Sequence, residues 1–72
     1  MNDAVIKFII ARVIESANVS LEESNQNESD DFYKGRKLAY YEILDTIKNE
    51  LDARDQDLKE FGLDIDLEYL FL

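Results

Sequence analysis

Apolar residues recur along the first third of the chain at helical spacing. Placed at 100° per residue, Val5, Ile6, Ile9, Ile10, Val13, Ile14, Ala17 and Leu21 share one arc about half the circumference wide. Lys7, Arg12, Glu15 and Asn18 lie on the other side. The spacing predicts a helix over about 3–21, its first amides capped by Asn2 or Asp3. Many of these residues are β-branched, yet the run is too long for a strand. The arc is also wider than one partner helix requires, and Phe8 and Val19 stray onto the polar side. A helix patterned in this way needs two contacts rather than one.

The stretch EESNQNESDD, residues 22–31, has no apolar side chain to bury and reads as a loop over 22–30. Ser29, Asp30 or Asp31 then caps a second helix, where negative charge also suits the helix dipole. In that second helix Tyr33, Tyr40, Leu44, Ile47, Leu51, Leu58 and Phe61 line a narrow stripe. Leu44, Leu51 and Leu58 are seven apart, and so are Ile47, Arg54 and Phe61, a short heptad pattern. Glu50–Arg54 and Asp55–Lys59 add favourable (i, i+4) pairs. Gly62 reads as the cap glycine that ends a helix over about 31–61. Gly35, near its start, costs about 1 kcal/mol relative to alanine. The tail, 63–72, alternates Leu63, Ile65, Leu67, Tyr69 and Phe71 with other residues, acids among them, in a strand-like manner. No other strand offers itself as a partner, so a short helical turn or an extended strap is expected there.

The fold class is therefore all-α: an antiparallel helical hairpin with a long second helix and a short C-terminal turn or strap, in one domain. At 1.5 Å per residue the helices would be about 27 and about 45 Å long. The second would overhang the first, leaving Leu51, Leu58 and Phe61 for the tail or for a second copy to cover. Self-association is expected to complete a helical bundle, a dimer being the commonest closed form. The residues expected to carry it are Phe8, Leu44, Ile47, Leu51, Arg54, Leu58 and Phe61, with Arg54 in a position to fix register.

Size strengthens this expectation. A chain of 72 residues folds near the lower limit for independent stability. Burial of apolar surface and the entropy of ordering the chain are each on the order of 110 kcal/mol and nearly cancel. Association is a common remaining source of stability.

Seventeen acids against eight bases give a net charge of -9. The excess is uneven: 1–21 is neutral, 22–31 carries -5, 32–49 carries +2, and 50–61 and 62–72 carry -3 each. With no cysteine or histidine, thiol and imidazole chemistry, disulfides and Cys/His zinc sites are excluded. The acidic loop has neither the glycine nor the ligand spacing of a calcium-binding EF-hand, and no phosphate-cradling glycine loop is present. No catalytic, cofactor or metal residues are expected, and the chain reads as non-enzymatic. The cluster Phe32, Tyr33, Lys34, Arg36, Lys37, Tyr40 and Tyr41 could stack on bases and hold phosphates, but an acidic chain repels nucleic acid. The apolar stretch Ala4–Ile14 is interrupted by Lys7 and Arg12, which suits neither a membrane span nor a secretory leader, so a cytoplasmic setting is expected.

The stretch GRKLAYYEILDTIKNEL, residues 35–51, together with GLDIDLEYL near the end of the chain, resembles a class of small acidic bacterial helical-hairpin proteins with no known activity. Gly35 to Glu42 is the most specific part. The resemblance implies a bacterial cytoplasmic setting and supplies no site residues. The expected function is that of a non-enzymatic, self-associating protein–protein interaction module, a small adaptor or regulator. The alternatives are an acidic inhibitor that mimics nucleic acid and, more weakly, a nucleic-acid binder using residues 32–41.

Overall fold

A computed structural model describes residues 3–72. Two helices, α1 (Asp3–Gln26) and α2 (Asp31–Ala53), form an antiparallel hairpin. A 3-10 turn (Leu58–Phe61) and a short helix, α3 (Leu67–Phe71), fold back over one of its faces. The described residues are all-helical with no strand. The cap expected from Asn2 lies outside the described residues.

α1 runs five residues beyond its expected end, into the acidic segment. Glu22, Glu23 and Gln26 are good helix formers, and Ser24 lies on the face turned towards α2, where it is buried beside Ser20. Small polar residues thus serve as core where another helix approaches closely. Glu23 near the C-terminal end opposes the helix dipole, but Arg36 on α2 donates to its carboxylate at 2.6 Å. The turn is closed by the Asn27 side chain, which donates to the Glu23 carbonyl at 2.8 Å. Asp30 is the cap of α2, accepting from the Phe32 amide at 3.0 Å.

α2 stops at Ala53, eight residues short of the expected end. The Gln56 amide bonds the Leu51 carbonyl and the Asp55 amide bonds that of Asp52, a Schellman closure with Asp55 at φ 57°. Aspartate tolerates this left-handed position better than most residues, so the helix ends without a glycine or proline to announce it. The expected Asp55–Lys59 pair is therefore lost, while Glu50–Arg54 forms. Gly62 does act as a cap glycine, at φ 73°, but it closes the four-residue 3-10 turn. The break turns Phe61 and Leu63 inward, where a continuous helix would have carried the chain away from the core.

The two helices are nearly equal, 24 and 23 residues, so α2 does not overhang α1. The buried apolar core is Ile10, Ala17, Leu44, Phe61, Leu63, Leu67 and Phe71. More than half of it comes from the segment that follows α2, the 3-10 turn and the tail together. Leu63, Leu67 and Phe71 repeat every four residues and are buried, whereas Tyr69, which strand alternation would also bury, is 84% exposed. The helical reading of the tail is the one that the packing satisfies. Asp66 caps α3 by accepting from the Tyr69 amide.

Candidate functional site

The hairpin has a covered face and a bare one. On the covered face, Lys7 of α1 reaches Glu60 at 3.4 Å and lies over the Phe61 ring at 5.5 Å. One heptad on, Ile14 sits against Gly62. On α2, Tyr41 donates to Glu68 at 3.2 Å, and Lys48, one heptad further, donates to the Ile65 carbonyl at 2.6 Å. Partial burial, then the charges of Glu68 and Asp45, hold the Tyr41 phenol above the ordinary tyrosine pKa.

The bare face follows from the width of the apolar arc on α1. Ile6, Ile10, Val13, Ile14, Ala17, Ser20 and Ser24 occupy about 120° and pack inward. The next 100° or so, carrying Val5, Phe8, Ile9, Arg12, Ser16 and Val19, is turned away from the tail. Val5, Phe8, Ile9 and Val19 are all exposed, Phe8 at 64%. On α2 the neighbouring stripe holds Phe32, Arg36, Tyr40 and Ile43; Phe32 and Ile43 are exposed. Between the helices lies a hollow of about 290 Å³ whose walls are Phe8, Ile9, Arg12, Val13, Ser16 and Tyr40.

The charges on this face are internally balanced. Arg12 pairs with Glu15 at 3.8 Å, and Arg36 pairs with Glu23 while its guanidinium lies 5.9 Å from the Tyr40 ring centre. The Glu23 contact raises the Arg36 pKa. By contrast, the segment that folds over the other face, 54–72, is strongly acidic. A second hollow, about 410 Å³, opens at the turn end between Lys34, Lys37, Glu28, Leu38 and Phe71, and mixes charges of both signs.

The expected association residues fall into four groups. Leu44, 1% exposed, and Phe61 are spent in this chain's own core. Ile47, Leu51 and Leu58 are half-buried, the first two packed against it. Arg54 is exposed and paired with Glu50 of its own helix, because the helix ends one residue earlier and the seam it was to occupy is not formed. Phe8 remains as the large apolar side chain open to a partner. Val5, Ile9, Val19 and Ile43 join it there. The excess width of the α1 arc was the signal for the first two, and Val19 stood out, like Phe8, as an apolar residue on the polar side.

Among the described residues no helix is long and apolar enough to cross a membrane. No group of three or more carboxylates among them is placed to hold a metal ion. Set against protein-family models, curated proteins and solved structures, the chain finds no match in any of the three.

Proposed function

We propose that this protein is a non-enzymatic interaction module that self-associates through the bare face of its hairpin. The observation that carries this reading is the exposed apolar stripe of α1, continued across the hollow by Tyr40 and Ile43 of α2. A second hairpin laid on that stripe makes a four-helix arrangement with a tail on each outer side.

Surface area supports the same reading. A compact monomer of 8.4 kDa exposes roughly 4,600 Å². This chain exposes 5122 Å², about 500 Å² more. Its radius of gyration, 12.9 Å, likewise exceeds the ~11 Å of a compact chain of this length. Charge supports a second copy as the occupant: the bare stripe is neutral, and pairing through it keeps the two acidic tails on opposite sides of the assembly.

Light scattering after size exclusion, over a hundredfold range of concentration, tests this. The expected result is a mass that rises to twice that of the chain. A folded monomer throughout would remove the reading.

A further inference from the structure

The exposed stripe of α1 is symmetric in position about Arg12, with a large residue, Phe8, on one side balanced by a small one, Ser16, on the other. Val5 and Val19 lie seven residues on either side, Phe8 and Ser16 four residues on either side. Two antiparallel helices related by a two-fold axis bring together residues whose numbers have a constant sum, here 24. The large Phe8 then meets the small Ser16, and Val5 meets Val19, a pair of equal size. Resting on the self-association reading above, we infer that two copies pair α1 against α1 antiparallel, with the two-fold axis at Arg12 and Phe8 of each seated in the hollow of the other.

The hollow suits this occupant. Its volume, about 290 Å³, accommodates a phenyl ring, and its walls include the Tyr40 ring and the apolar Ile9 and Val13. Ser16 leaves room where a larger residue would close it. Aromatic rings here meet edge-to-face or offset, worth more than their area alone. At the axis the two Arg12 side chains approach one another. Each has its own Glu15 at 3.8 Å, and in this register the partner's Glu15 lies one turn away, so the cations are bridged by carboxylates. The register thus depends on the aromatic pairs and tolerates the central bases.

Sedimentation of the wild-type chain beside Phe8→Ala and Ser16→Trp tests it. Both positions are on the surface, and unchanged helical circular dichroism checks that each variant folds. Phe8→Ala removes the occupant; Ser16→Trp fills the hollow while adding apolar surface. Each is expected to raise the dimer dissociation constant at least tenfold. The chain has no cysteine, so Arg12→Cys supplies an independent reading: at the axis it is expected to form an intermolecular disulfide far faster than Asp64→Cys on the tail. A wild-type dimer unaffected by Phe8→Ala and Ser16→Trp, or an Arg12→Cys variant that links no faster than Asp64→Cys, overturns this register and leaves the bare-face reading standing. A wild-type monomer at all concentrations overturns both.

Discussion

The two faces of the hairpin start from similar material and end differently. Both present β-branched and aromatic side chains with a basic residue among them. On one face the tail lays Phe61, Leu63, Leu67 and Phe71 across the helices, and Lys7 and Lys48 are drawn into contacts with it. On the other, Val5, Phe8, Ile9 and Val19 meet solvent. Apolarity alone therefore does not decide what is core. What decides it is whether a segment folds over the face, and the segment that follows α2 covers one of the two.

Substitutions separate the faces by size of effect. Leu44→Asp buries a charge where both helices and the tail meet, and is expected to abolish cooperative melting by circular dichroism, a loss of more than about 4 kcal/mol. Leu67→Ala, within the covered face, should cost about 3 kcal/mol in urea unfolding. Phe8→Ala, measured at a concentration where the chain is monomeric, should change stability by less than about 0.5 kcal/mol. Equal losses for these last two would erase the distinction between the faces.

Finer changes sharpen it. Gly62→Ala puts a side chain at φ 73° beneath the tail and should cost about 1–2 kcal/mol. Gly35→Ala, where a Cβ meets nothing within 4 Å, should raise stability by up to about 1 kcal/mol. The smallest effect concerns pH. The Tyr41 phenol is held neutral in the fold at a raised pKa, so its contribution is complete below the unfolded value near 10 and fades as pH rises through the folded value. Alkaline titration should loosen the tail first, seen as faster hydrogen exchange at 61–71 than in α1. Tyr41→Phe should remove that step from the titration.

The hairpin, the all-α class and a cap at Ser29, Asp30 or Asp31 were legible in the sequence, because each depends on neighbours within one or two turns; which of the three caps, Asp30, was not. The end of α2 was not legible. Its signal is an aspartate in a left-handed turn, and Asp55 is one of seventeen acids that look alike on paper. The extension of α1 was hidden for a related reason: Ser20 and Ser24 are polar by type but are buried because α2 passes close to them. From these two misplaced boundaries came the expected overhang of α2 and the seam through Arg54. Phe8 was legible as a candidate, since nothing local explained an aromatic residue on the polar side of α1. Its groove, built from residues 8–16 and Tyr40, was not, because it needs the pairing of the two helices.

The tail's contribution also has a consequence in time. Phe71 packs into a core whose other end includes Ile10, so the core cannot close until the seventy-first residue has cleared the ribosome. At about 5–20 residues per second, the emerging hairpin spends seconds with both faces uncovered. During that interval the nascent hairpin exposes the face that Phe61, Leu63, Leu67 and Phe71 later cover, as well as the bare one. Neighbouring chains on one messenger, or a chaperone, then meet a face that the mature protein never shows.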